Sequence, residues 1–235
     1  LTTDESIRRW YKVEVLNSQT NEPLKNPDGT DVTYGEKQVS YYAALQNGSF
    51  EYPDTERINA NGNFTYPNGT TGLVWQTTGS DQQIEIVKAK YGNNHNCTST
   101  VDHVNEGEGQ FAELNAEAPG ALYQNVLTAP GSTLYWQFSH KGRAGLDSMY
   151  LVIAPAEDVA NIKTQEALNN LISKIGTEGH TLKDGYYCQD YDSAIEINND
   201  GKTVAGPWTT HNGAYVVPAN QHVTAFFFVA KRTSG

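Results

Sequence analysis

The chain carries two cysteines and one methionine in 235 residues, and 16 basic side chains stand against 27 acidic ones. The cysteines, Cys97 and Cys188, have no histidines at finger spacing beside them, which excludes a structural zinc site. A formal net charge of -11 would repel a phosphate backbone, so nucleic acid is excluded as a partner. No apolar run approaches the roughly 20 residues that a membrane-spanning helix needs, so no membrane insertion is expected. The GxSxG, HExxH, P-loop and GxGxxG signatures are all missing, and so are internal repeats and low-complexity tracts. The chain opens at Leu1-Thr-Thr-Asp without an apolar leader core and reads as a mature or excised fragment.

What is present points to β-structure. Twenty-one glycines, 14 tyrosines and abundant Asn and Thr suit an extracellular all-β protein with many turns. In residues 134–140, Leu134, Trp136, Phe138 and His140 share one face while Tyr135, Gln137 and Ser139 share the other, the period of a half-buried strand. A Gly-rich turn at 141–145 leads into a returning strand at 149–154. Further strands are expected at 73–76, 83–89 and 214–217, and the run 222–230, apolar on both faces, predicts a central buried strand. Residues 59–72 and 91–110 read as long surface loops. Val159, Ile162, Leu168, Leu171, Ile172 and Ile175 recur at helical spacing before Gly176, predicting one amphipathic helix over 157–175. Residues 1–45 read as a connector or added strands, with strands at 10–16 and 38–45, and residues 46–235 as the sandwich proper.

Several pieces stand in a characteristic order: NGSFEYP at 47–53, Trp75, IEIV at 84–87, FAELNA at 111–116, LYQ at 122–124, Gly131, and WQFSHKGRAGLD at 136–147. Together they resemble the galactose-binding-domain-like β-sandwich modules of bacterial cell-surface proteins of the Gram-positive type, and are similar also to plant cell-wall proteins. The bacterial branch is the nearer, because His140, Gly142, Arg143, Gly145 and Asp147 complete an HxGRxGxD string. The resemblance implies an all-β jelly-roll sandwich with one inserted helix and a non-catalytic role in glycan binding or adhesion. It also implies a structural calcium near the sheet edge, for which Asn47 and Glu51 are the candidate ligands.

The candidate ligand-binding residues are His140, Arg143, Asp147, Trp208, Tyr187 and His211. Arginine presents a planar fork of donors, aspartate accepts and histidine does either, a set suited to vicinal sugar hydroxyls. The alternative is structural: an Arg143–Asp147 or Arg143–Glu85 ion pair pinning the hairpin, with His140 buried. Trp208 follows Gly206-Pro207 and precedes His211; with Tyr186, Tyr187 and Tyr215 it offers an exposed aromatic face for stacking. Trp75 and Trp136 read as core. Glu113, Asn115 and Gln124 line a pocket rim or form a structural network. Cys97 and Cys188 are either two unpaired thiols or one disulfide. Four Asn-x-Ser/Thr sequons, at Asn47, Asn63, Asn68 and Asn96, are chance products if the source is bacterial. Ser139 and His140 point to opposite faces and cannot form a nucleophile–base pair. The expected function is a non-catalytic extracellular binding module, monomeric within a longer cell-surface chain, that recognises carbohydrate. The alternatives are an adhesin domain for a host glycoprotein or immunoglobulin, and a structural spacer.

Overall fold

A computed structural model describes residues 8–14, 25, 27, 33–40, 45–54, 63–88, 109–115, 118–177 and 185–231. The chain divides into two compact units, Thr3–Ala43 and the remainder. The small unit holds an antiparallel hairpin of β1 (Arg8–Glu14) and β2 (Thr33–Ser40), with Trp10 opposite Gln38.

The large unit is all-β with one helix. Its strands are β3 (Asn63–Pro67), β4 (Gln76–Thr77), β5 (Gln83–Lys88), β6 (Gln110–Glu113), β7 (Ala121–Leu127), β8 (Thr133–His140) and β9 (Ser148–Pro155). Helix α1 (Gln165–Ile175) follows, then β10 (Tyr187–Asp192), β11 (Ile195–Ile197), β12 (Thr203–Ala205), β13 (Thr209–Val216) and β14 (Val223–Ala230). A five-stranded sheet runs β10-β9-β14-β7-β4, and separate groups pair β3-β5-β6, β13-β8 and β11-β12, all antiparallel.

The five-stranded sheet is buried on both faces, which explains why β9 and β14 read as continuous apolar runs. One face presents Ala121, Tyr123, Val152, Ala154, Ala225, Phe227 and Val229, packed with Leu168 and Ile172 of α1. Tyr123 stacks on Phe227 at 4.9 Å between ring centroids. On the other face, Leu122 and Phe228 pack with Trp75, Ile84 and Ile86, and Phe138 of β8 meets Phe228 edge-on at 5.5 Å. Burying a side chain of this size contributes about 1.5–3 kcal/mol, so each layer has ample driving force. Central placement of β14, burial of Trp75 and Trp136 and the alternation of β8 all match the expectations from sequence.

The helix is shorter than its periodicity predicts. Thr164 caps it, its Oγ1 accepting from Ala167 N at 3.2 Å, and Gly176 at φ 76 ends it. Residues 156–162 form successive turns instead, with Asp158 N donating to Pro155 O and Ile162 N to Val159 O. Val159 and Ile162 still reach the core, so apolar spacing survives where the helical ladder does not.

The loop at 45–54 is clasped to the sandwich. Gln46 and the Gln124 side chain exchange two hydrogen bonds at 3.0 and 2.7 Å, and Trp75 Nε1 donates to Asn47 O at 2.9 Å. Gln124 is thereby structural. Cys188 is a buried free thiol whose burial pushes its pKa up to about 12, and Cys97 lies outside the described residues. The expected strands at 10–16 and 38–45 fall only partly on described residues.

Candidate functional site

The β3-β5-β6 group has an inner face, built from Phe64, Tyr66, Ile84, Ile86 and Ala112, and an outer one. Antiparallel register places Thr65 opposite Glu85, Glu85 opposite Glu113, and Val87 opposite Phe111 on that outer face. Glu85 is 7% exposed. Two carboxylates directly opposite each other oppose folding, so this pair needs an offsetting cation. Arg143 brings one: its Nη1 lies 3.4 Å from Glu113 Oε1, with 45% of its side chain exposed.

The turn after β8 presents that arginine. A Cβ at Gly142 would lie 2.0 Å from the Gly145 carbonyl oxygen, so glycine is required there. Beside Glu113 on the same outer face, Phe111 meets Trp208 edge-on, with centroids 5.6 Å apart and planes at 67°. Trp208 is half-buried, and it immediately precedes β13, whose Thr209 sits opposite His140. A half-open indole, a guanidinium and a carboxylate therefore share one rim. Flat aromatic surface stacks on apolar C–H faces, and the charged pair offers donors and acceptors for hydroxyls.

The remaining sequence-derived candidates gather elsewhere, between the sheets. His140 Nε2 donates to Asp147 Oδ2 at 3.2 Å, and His140 is 6% exposed. The other ring nitrogen, Nδ1, is buried and meets no hydrogen-bond partner among the described residues. Asp147 is fixed further by Ser193, whose Oγ accepts from Asp147 N at 3.0 Å. His211, diagonal to His140 across the β8–β13 pair, packs on Phe138 and on Tyr191, the latter at 4.7 Å. Burial lowers the His211 pKa, repulsion from His140 adds to this, and contact with the Asp192 backbone works the other way. The Tyr187 hydroxyl donates to Gln189 Oε1 and meets the Tyr191 hydroxyl, both at 2.8 Å.

Arg143 thus pairs with Glu113, and Asp147 pairs with His140 rather than with Arg143. The exposed aromatic face expected from Trp208 with Tyr186, Tyr187 and Tyr215 does not form: the three tyrosines are 8%, 8% and 2% exposed. Tyr215 is tied inward, donating to Gly185 O at 2.7 Å. Trp208 meets Phe111 instead, a residue of the FAELNA stretch that is not among the candidate ligand-binding residues. Its signal is the shared parity of Phe111 and Glu113 in β6.

The two calcium candidates hold backbone groups. Asn47 Oδ1 accepts from Tyr52 N at 3.1 Å, its Nδ2 donates to the Tyr52 and Leu73 carbonyls, and Glu51 Oε1 accepts from Gln110 N at 3.1 Å. A hard cation wants six to eight oxygens turned toward it. These oxygens face N–H donors, and no group of three or more His, Cys, Asp or Glu among the described residues is placed to hold a metal. The donor set does not fit the ion.

Among the described residues no helix is long and apolar enough to cross a membrane. No family model matches the chain, and no curated protein does. A solved structure described as "CBM4 structure and function" aligns at 14% identity over 80% of this chain and 90% of that one, with a TM-score of 0.32. A likeness at that score decides neither fold nor function.

Proposed function

We propose that this chain is a non-catalytic, extracellular carbohydrate-binding module of a bacterial surface protein. Trp208 is its stacking platform, and Arg143 and Glu113 are its hydrogen-bonding groups. The observation that carries this reading is the rim itself: the half-open Trp208 ring, braced by Phe111, shares the outer face of β3-β5-β6 with an ion-paired carboxylate. His140, Asp147, His211 and Tyr187 act behind this rim as its interior support. A glycan array probed with the purified chain tests the reading. Binding to a related set of sugars is expected, and a blank array would overturn it.

A second reading, an adhesin that binds a host protein, is favoured by the β11–β12 hairpin. Ile195 and Ile197, two residues apart on β11, are 46% and 64% exposed. Capture of a host glycoprotein by the wild-type chain but not by Ile197→Ser would support it; equal capture by both would remove it.

A further inference from the structure

The outward face of the β8–β13 pair belongs neither to the core nor to the Trp208 rim. Its four cross-strand pairs are Thr133–Val216, Tyr135–Ala214, Gln137–Asn212 and Ser139–Thr210. None of the eight side chains is charged, although 43 of the 235 residues (16 basic and 27 acidic) are. Tyr135 is 64% exposed and Val216 62%, and Gln137, Asn212 and Thr210 are exposed too. The opposite face of the same two strands is packed inward through Leu134, Trp136 and Tyr215, so this outer strip rests on a rigid base.

We propose that this strip is a second glycan-binding surface, one that takes an extended, uncharged polysaccharide chain. The proposal rests on the reading of the protein as a carbohydrate-binding module, and it adds a site that reading does not contain. Three features of the strip select such a ligand. The four pairs run from 133 to 139 along β8, and at about 3.4 Å per residue they make a track of roughly 20 Å, the shape of a linear polymer rather than of a single sugar. An exposed phenol ring faces the smallest side chain of the strip, Ala214, so no bulky neighbour stands directly opposite it. Such a ring stacks on sugar C–H faces. The amides of Gln137 and Asn212 form one cross-strand pair, and the hydroxyls of Ser139 and Thr210 sit 3.0 Å apart in the next. Amides and hydroxyls both donate and accept, matching sugar hydroxyls without placing a charge under the ligand. An uncharged chain therefore binds without desolvating an ion, the dominant penalty at charged interfaces.

The strip is also separate in chemistry from the rim. Arg143 and Glu113 at the rim are charged and sit beside a half-buried ring, whereas the strip is neutral and flat. A polymer that reached both would gain from linkage, since the second contact becomes intramolecular.

Affinity electrophoresis tests this. Native gels are cast with soluble β-glucan, xylan or galactomannan, and disaccharides of the same polymers, too short to follow the strip, are titrated in parallel. Wild-type chain is expected to be retarded by at least one polymer. Tyr135→Ala should weaken that retardation about three- to tenfold, the worth of one aromatic contact, while disaccharide binding at the Trp208 rim is unchanged. If Tyr135→Ala lowers the melting temperature, the pair Gln137→Ala/Asn212→Ala reads the same face through exposed side chains. Undiminished retardation of these variants overturns the strip, and so does a wild-type chain that no polymer retards. Loss of disaccharide binding in Trp208→Ala with normal polymer retardation in Tyr135→Ala leaves the rim reading standing and removes the strip. Loss of retardation in Tyr135→Ala with no effect of Trp208→Ala does the reverse.

Discussion

The two faces of the five-stranded sheet are packed with different materials. Under α1 the contacts are aliphatic and aromatic, and the polar groups there reach partners: Tyr186 donates to Asp158 Oδ2 at 2.7 Å, and Lys163 donates to the Tyr123 hydroxyl at 3.4 Å. Toward β8 and β13 the layer holds Trp136, Phe138, His140, His211, Tyr187 and Tyr191, and several of its buried atoms (Trp136 Nε1, His140 Nδ1, Asp147 Oδ1, His211 Nε2) meet no hydrogen-bond partner among the described residues. The helix-covered face is thus built from apolar packing with paired polar groups, and the β8–β13 layer from aromatic rings mixed with imidazoles beside the loops that carry Arg143 and Trp208. That difference implies that mutations on the two faces will separate stability from pH response and from binding.

The largest expected effect lies under the helix. Phe227→Ala should cost about 3–5 kcal/mol, read from urea denaturation, because Phe227 is 1% exposed and stacked on Tyr123. A loss below about 1 kcal/mol would contradict the apolar packing assigned to this face. Next comes Gly213→Ala on the opposite side. An added Cβ would lie 2.3 Å from Trp136 Cζ2, so overpacking of about 1–3 kcal/mol is expected. Unchanged stability would show that the Trp136 ring has room to move.

The third prediction concerns acid. Burial holds the folded His211 pKa below its ordinary value. Below about pH 6.5 the unfolded chain therefore binds the proton more readily than the folded one, and stability falls as pH drops from there toward the folded pKa. The urea midpoint should be lower at pH 5 than at pH 7.5, and His211→Asn should reduce that difference. An equal difference in the variant would assign the acid response to other groups. The smallest effect, none, is expected on chelation. Adding EDTA should leave the melting temperature unchanged, because the Asn47 and Glu51 oxygens already accept N–H groups; a clear drop would restore a metal to this loop.

The β8 alternation and the buried β14 run were readable because period-two patterning reports on the strand itself. The same pattern states that a strand has two faces without naming what covers each. Tyr187 alternates as a strand residue should, yet only packing of β10 against Trp136 decides that its ring is inside. Trp208 and Phe111 are 97 positions apart in the numbering, and no local spacing joins them. Arg143 lies four residues from Asp147, which favoured a local ion pair. His140 takes that carboxylate from inside the sandwich, and the Gly142 turn carries the arginine outward to β6. The helix start was overextended because apolar spacing at 159 and 162 serves packed turns as well as it serves a helix.

The most direct test of the central claim is a calorimetric titration of wild-type and Trp208→Ala chains with the strongest glycan from an array. Binding by the wild type and its loss in the variant, with the melting temperature preserved, is the predicted result. Equal affinity in the two chains would contradict the assignment of the Trp208–Phe111 rim as the carbohydrate site.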